Sequence, residues 1–332
     1  MLRYRLLLLA LAIVTLLTFA SCAKEVGEAN EVVQARVLDS WINIKHPSSE
    51  KTSSGLYIIN FSDGTGRNVT DSSYVFVKYT VKELSGNILA TNDQALSEQL
   101  GEFSHSRHYG YNIWRVDQEA LYAGVEEILK RMKVGGRATI AFTPELATLS
   151  VSIYSLFSSL EGTAPLIFEL ELVDCVEDIY ADYEEPMLRL YSEKHWGGVD
   201  TIKRGFYFVK TKEVPVEDSI ATEAQIKIRY IGYMLDGIVF DTNIRDTAKR
   251  YRIYESKKSY EAMDITFKDN IADFKQSNSI IEGFADAIMR MRYGEKAVAF
   301  FWSQSGYGAT GSSPSIPEYT PLCFEIEVER KN

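Results

Sequence analysis

The sequence predicts an α+β protein of two tandem modules, each an antiparallel curled sheet around one short helix, and each preceded by a helical segment. Three observations predict it. First, blocks recur in order. Gly55-Leu-Tyr57 returns as Gly205-Phe-Tyr207 at an offset of 150, and Val75-Phe-Val-Lys-Tyr79 as Ile226-Lys-Ile-Arg-Tyr230 at 151. Gly86 returns as Gly237 at 151; Gly124, Met132 and Gly135 return as Gly283, Met291 and Gly294 at 159; residues 166–172 return as 322–328 at 156. An ordered set of matches with a slowly changing offset marks a duplication with insertions. Second, the repeated strands alternate apolar and mostly polar residues, the pattern of a sheet with one buried face. Third, Val125, Ile128, Leu129 and Met132 in the first copy, and Phe284, Ile288 and Met291 in the second, have helical spacing, so each copy lays one helix on its sheet.

Along the chain, Arg3 and Arg5 precede an apolar run from Leu6 to Phe19, shorter than the ~20 residues of a membrane-spanning helix and suited to a targeting leader. The run ends Phe19-Ala20-Ser21-Cys22, which resembles a bacterial lipobox, with Phe19 in place of the usual leucine. The resemblance implies that Cys22 is lipidated and becomes the new N-terminus; a secreted chain with a chance cysteine is the alternative. After a polar tether, Val33, Val37, Trp41 and Ile44 predict a helix over residues 31–46 with one apolar stripe. Pro47 ends it. Gly55 opens the first strand, and the turn-rich Ser62-Asp-Gly-Thr-Gly66 closes it. A second helix runs from Asp182 through His195 to Gly197-Gly198. The expected divisions are 1–21 leader, 22–50 tether and helix, 51–178 first module, 179–203 helical connector and 204–332 second module.

The 332 residues are 45% hydrophobic, enough for packed cores, and the formal net charge of −10 argues against binding nucleic acid or an anionic lipid surface. Besides Cys22 only Cys175 and Cys323 are present. Both sit in strand patterns, and their spacing suits neither a disulfide framework nor a metal site. His105 and His108 are spaced like a metal pair but lack a third ligand nearby, which makes a solvated loop the expectation. No metal and no cofactor is expected.

Gly306-Tyr-Gly308-Ala-Thr-Gly311 formally matches the dinucleotide fingerprint. That fingerprint must open a helix, whereas here Pro314 and Pro317 follow and the chain ends soon after. A different resemblance fits the whole region. Tyr230-Ile-Gly232, Asp236-Gly237-Ile-Val-Phe240-Asp241-Thr242, Ile280-Ile281-Glu-Gly283-Phe284, Met291, Gly294-Glu295, Tyr307-Gly308-Ala-Thr-Gly311, Ile316-Pro317 and Leu322-Cys-Phe324 stand in the order of the FKBP-type peptidyl-prolyl cis-trans isomerases. Residues 205–330 resemble that family well, and residues 55–175 weakly.

The resemblance implies two FKBP-like modules and, in the second, a shallow aromatic pocket for a proline side chain. Tyr230, Phe240, Phe284 and Phe324 would line it, with Phe284 as a floor where the family usually has tryptophan. The Ile281 N–H would hold a substrate carbonyl, Tyr307 would hydrogen-bond the substrate, Asp241 would sit beside the rotating amide, and Ile280 and Ile316 would complete the walls. Core packing is the alternative for Phe324, and a plain turn for Asp241. Ser312 stands where many members have histidine. Residues 245–279 exceed the usual flap and, with Tyr251, Tyr254 and Tyr260 among charged residues, read as a solvated segment beside the pocket. In the first copy Tyr79 remains, but Leu89-Ala90 replace Phe-Asp, Val125 stands at the floor and no Tyr-Gly pair precedes Leu166, so that copy is expected to be inactive.

The implied function is an exported isomerase, lipid-anchored to a bacterial membrane, on the outer membrane's periplasmic or surface face, acting on X-Pro bonds of proline-containing polypeptides. The alternatives are a non-catalytic chaperone or interaction lipoprotein on the same fold, and a surface receptor for a non-protein ligand.

Overall fold

The structure is a computed structural model that describes residues 30–116, 121, 123–143, 146, 164–312 and 314–331. The leader, Cys22, and most of the stretch before Leu166 lie outside the described residues. The first sheet is built from β1 (Glu50–Lys51), β2 (Tyr57–Ser62), β3 (Tyr74–Glu83), β4 (Ile88–Thr91), β5 (Asn112–Arg115), β6 (Arg137–Phe142) and β7 (Leu166–Val176). Its order is β1-β2-β6-β7-β3-β4, with β5 also paired to β3. The second sheet is built from β8 (Phe206–Lys212), β9 (Gln225–Met234), β10 (Val239–Thr242), β11 (Met263–Thr266), β12 (Lys296–Phe301) and β13 (Leu322–Arg330), in the order β10-β9-β13-β12-β8 with β11 on β9. All pairings are antiparallel.

Apart from β1, the two orders are one topology. The duplication extends to register: Phe168 stands opposite Val81, and Phe324 opposite Gly232. The expected α+β class is what the chain adopts.

The helices lie where alternation breaks. Ahead of the first sheet is α1 (Asn30–Lys45); within it are α2 (Gln94–Leu100) and α3 (Ala123–Arg131). A π-helical turn at Ile179–Glu184 runs into α4 (Glu185–Trp196), which ends at Gly197 in the left-handed region with φ 68°. The second module adds α5 (Arg245–Arg250), α6 (Ile271–Asn278) and α7 (Glu282–Met289). Helix α3 buries Val125, Ile128 and Leu129 against its sheet, and α7 buries Phe284 and Ile288. Cys175 and Cys323 are buried free thiols in β7 and β13.

Three expectations are corrected. Helix α1 does form, but it buries Leu38 and Ile42 against Tyr57, Ala141 and Ile167, while Val33, Val37 and Ile44 are exposed. Both sets have helical spacing, so periodicity alone could not choose between the two faces. The 245–279 segment is not simply solvated: β11 joins the sheet, and Ile265, Phe267 and Phe274 enter the core. Its Tyr260 is also buried, whereas Tyr251 and Tyr254 are exposed. Nor is the 104–111 loop free in solvent, because His108 reaches the second module.

Candidate active site

The Tyr230 hydroxyl donates to Asp241 Oδ2 at 2.6 Å. Both residues are half-buried, on neighbouring strands β9 and β10. Beside the strand pairing, two side chains fix this approach. Thr242 Oγ1 donates to the Tyr230 carbonyl at 2.7 Å. Asn243 Oδ1 accepts from the Tyr230 N–H at 2.9 Å, and its Nδ2 donates to the Ile228 carbonyl at 2.8 Å. The Asp241 carboxylate therefore meets a phenol whose strand is held by the two residues that follow the aspartate.

Under that pair lies a cluster of rings. Centroids are separated by 5.6 Å for Tyr230 and Phe284, 6.3 Å for Tyr230 and Phe324, 5.7 Å for Phe240 and Phe324, and 5.0 Å for Phe284 and Phe324. Phe284 and Phe324 are buried, and Tyr230 and Phe240 half-buried, which suits a floor and walls. Gly232 permits the approach. A Cβ there would lie 2.7 Å from Phe240 Cζ and 2.8 Å from Phe324 Cε1.

The loop after β12 supplies the far side. It passes through 3₁₀ turns at Ser303–Ser305 and Gly308–Thr310. Ser312 and Ile316 exchange backbone hydrogen bonds at 2.8 and 2.9 Å, which turns buried Ile316 into the core that holds Phe284 and Phe324. Gly311 sits at φ 62°, and its ideal Cβ would lie 2.4 Å from the Ile316 carbonyl oxygen, so a side chain would prevent the loop from closing. Tyr307 packs half-buried on the same core. Its phenol is pushed up first by burial and then by the Asp241 carboxylate. The Tyr230 phenol is pushed up by burial, then by the Asp241 charge and hydrogen bond, with a contribution from Tyr307. Tyr230, Asp241 and Tyr307 thus act on one another electrostatically.

Ile281 caps α7 with extended backbone, φ −71° and ψ 156°. Amides at a helix start have no intrahelical acceptor, and the Ile281 N–H meets none among the described residues. Ile280 is half-buried beside it, held by its N–H to the Lys275 carbonyl at 3.2 Å. The structure therefore brings Tyr230, Phe240, Ile280, Ile281, Phe284, Tyr307, Ile316 and Phe324 onto one core, with Asp241 bonded at its edge.

Two participants were missed by sequence reasoning. Lys258, in the long flap, pairs its ammonium with Asp241 Oδ1; no local pattern marks it among its neighbouring lysines. Phe301 stacks on Phe324 at 5.9 Å and 9°. Among the described residues no group of three His, Cys, Asp or Glu side chains is placed to hold a metal.

The first module keeps the scaffold of this site. Asn92 Oδ1 accepts from the Tyr79 N–H at 2.8 Å, Asn92 Nδ2 donates to the Val77 carbonyl at 2.9 Å, and Thr91 Oγ1 donates to the Tyr79 carbonyl at 3.2 Å. The Thr91-Asn92 and Thr242-Asn243 pairs repeat at 151, a signal that was available in the sequence. Preceding Thr91, however, is Ala90 rather than an aspartate. Val81 fills the Gly232 position, and Trp114, at the position of Ile265, packs 5.4 Å from the Tyr79 ring. Tyr79, Val81 and Trp114 are all buried. The position that Gly232 leaves open between Phe240 and Phe324 is filled by a buried side chain in the first module.

The second module also resembles known proteins. Residues 217–329 match the family model described as FKBP-type peptidyl-prolyl cis-trans isomerase. The macrophage infectivity potentiator of Trypanosoma cruzi is 26% identical over 154 residues, 46% of this chain and 67% of that protein. A short-type peptidyl-prolyl cis-trans isomerase of Methanocaldococcus jannaschii is 32% identical over 83 residues, which are 25% of this chain and 47% of that protein, so the chain spans about half of that relative's length. Among solved structures, FkpA from Escherichia coli aligns with 52% of this chain and 70% of its own at 22% identity and a TM-score of 0.32. The C-terminal module, over residues 217–329, is therefore an FKBP-type peptidyl-prolyl cis-trans isomerase domain.

Proposed function

We propose that the chain is an exported, membrane-tethered isomerase that acts on X-Pro bonds of extracytoplasmic polypeptides through its C-terminal module alone. The observation that carries the catalytic part is the convergence of Tyr230, Asp241 and Tyr307 at the mouth of a phenylalanine cluster. Rotation about an X-Pro bond faces a barrier of ~18–20 kcal/mol because amide resonance must be broken. A twisted amide is less conjugated and less well served by water, so an apolar site with a few fixed polar contacts favours it over either planar isomer. A thousandfold acceleration requires only about 4 kcal/mol. In this reading Phe284 and Phe324 seat the proline ring, the Ile281 N–H and the Tyr307 hydroxyl hold substrate carbonyls, and Asp241, oriented by Tyr230, lies beside the rotating bond. No nucleophile takes part.

The tether is supported by the leader-like run and Ala20-Ser21-Cys22. Membrane fractionation tests it: Cys22→Ala should release the protein, and a variant that stays membrane-bound refutes the lipid anchor. For catalysis, the full chain should accelerate cis/trans exchange in a short X-Pro peptide, and Asp241→Ala or Tyr307→Ala should slow it about tenfold or more. A folded wild-type chain without acceleration would leave the second reading, a non-catalytic chaperone. That reading draws its support from the first module, whose filled site retains the fold without the pocket.

A further inference from the structure

Two walls of the pocket are held from outside their own module. The first is the β9–β10 turn leading to Phe240 and Asp241, where Asp236 Oδ2 lies 2.7 Å from Nδ1 of His108 in the first module. The second is the loop between Tyr307 and β13. The His108 N–H makes a long 3.5 Å contact with the Ser315 carbonyl, and Asn112 Nδ2 donates to Glu318 Oε2 at 3.2 Å. Asn112 and Glu318 are both buried, so their contact is made away from water, where losing it leaves a polar group unpaired. Tyr319 is buried against Tyr74 of the first module, edge to face at 5.1 Å.

The loop needs such support. Among the described residues between Ser303 and Tyr319 it holds short 3₁₀ turns and one isolated bridge but no strand of the sheet. Its Ile316 wall backs onto a cavity of about 160 Å³ that Ala90, Arg107, His108, Pro314 and Pro317 also line, so packed core does not support its outer side. Tyr319 has φ 51°, a conformation that bulky residues keep only where surrounding contacts impose it. Its N–H donates to the Gly308 carbonyl at 2.9 Å, which ties the docked tyrosine to the residue after Tyr307. Glu184, at the end of the connecting π-helical turn, anchors the start of the loop by accepting from the Ser303 N–H and Oγ, both at 2.6 Å.

We propose that the first module is a clamp on the isomerase pocket, and that His108 is a positioning residue that ties the turn before Phe240 and Asp241 to the loop carrying Tyr307 and Ile316. The clamp rests on the isomerase reading for its effect on turnover, but not for its effect on the loop. It raises the fraction of molecules whose pocket is formed. When only a fraction of a protein is competent to bind, apparent affinity falls by that fraction, whereas a bound complex turns over normally.

The test uses the full chain with His108→Ala and with His108→Gln, which keeps an N–H donor for Asp236. Amide exchange is followed in residues 234–242 and 306–321, and KM and kcat are measured on a short X-Pro peptide. In His108→Ala residues 234–242 should exchange about two- to tenfold faster, the effect of losing one ordinary hydrogen bond, and Asn112→Ala, which removes the side-chain contact to Glu318, should do the same for residues 306–321, while β12 and β13 stay protected. KM should rise as the fraction of molecules with a formed pocket falls, by no more than the exchange factor, with kcat held within about twofold, and His108→Gln should recover most of both. Unchanged exchange in the two segments, or a fall in kcat at constant KM, overturns the proposal. If His108→Ala does not fold, Asp236→Asn weakens the same contact from the other side and must give the same pattern. A wild-type chain without isomerase activity would remove the isomerase reading, and the exchange measurement would still decide whether the clamp exists.

Discussion

Gly232→Ala is a sharp test of how the pocket is built. The new Cβ would lie 2.7 and 2.9 Å from Phe240 Cζ and Cε2, and 2.8 Å from Phe324 Cε1. Carbon atoms rest at about 3.5–4.0 Å, so one or both rings must retreat by roughly 0.7 Å or more. Overpacking of this kind costs about 1–3 kcal/mol, partly offset by the smaller backbone entropy loss of alanine, about 0.5–1 kcal/mol. The net expectation is a destabilisation of about 1–2 kcal/mol, read as a lower urea midpoint at unchanged slope. Function should suffer more than stability, because in the proposed site the displaced rings are the walls for proline and small misplacements at a site can cost about a hundredfold. We expect kcat/KM for an X-Pro peptide to fall about tenfold or more. The first module indicates the likewise closed end point, since Val81 occupies this position and is fully buried. A Gly232→Ala variant with parental midpoint and parental kcat/KM would refute the account of the pocket.

Other perturbations probe separate parts of the molecule. Burial pushes the Glu184 carboxyl up to about 7, against the lowering effect of its two Ser303 hydrogen bonds. A folded-state value above the ordinary 4.5 means that the native state holds the proton more tightly. Its stabilising contribution is therefore complete below pH 4.5 and lost as pH rises through 7, about 3 kcal/mol in all. Glu184→Gln should flatten the stability profile over that window, and a profile identical to wild type would contradict the assignment. Phe274→Ala should cost about 3–5 kcal/mol in denaturant unfolding because the ring is wholly buried in the flap region; a change near zero would return that region to solvent. The half-exposed pair of Lys258 with Asp241 should be worth at most about 1 kcal/mol. Lys258→Glu should accordingly shift peptide preference from acidic towards basic residues beside the proline by about two- to fivefold, an effect that fades with salt. No shift at low ionic strength would place Lys258 away from the substrate path.

Much of the fold was legible because its signals are local. Ile226 to Tyr230 alternates as a strand that buries one face must, Val75 to Tyr79 does so except that Phe76 is buried on the opposite face, and α3 and α7 carry the spacing of helices that cover a sheet. The order of Tyr230, Phe240-Asp241, Ile281, Phe284 and Tyr307 along the second copy was equally visible, as was the loss of Asp241 to Ala90 in the first. Where two patterns competed, the sequence could not arbitrate. Helix α1 offers one stripe through Val37 and Ile44 and another through Leu38 and Ile42, and only the surface formed by Tyr57, Ala141 and Ile167 selects the second.

Tyr260 is covered within its own flap, stacked on Tyr254 and accepting from the Glu255 N–H, whereas Phe274 looked like part of a charged surface stretch because its burial comes with strands distant in sequence. The same holds for Lys258 on Asp241, Trp114 under Tyr79 and His108 on Asp236. By itself the sequence determined the duplication, the fold class and the residue types offered at the candidate site, since periodicity and residue type are properties of the chain. Which module surfaces meet, which cation covers the carboxylate and what supports the loop of Tyr307 were decided only by tertiary structure. Those contacts join residues as far apart as Asn112 and Glu318 or Tyr74 and Tyr319, where no local spacing constrains them.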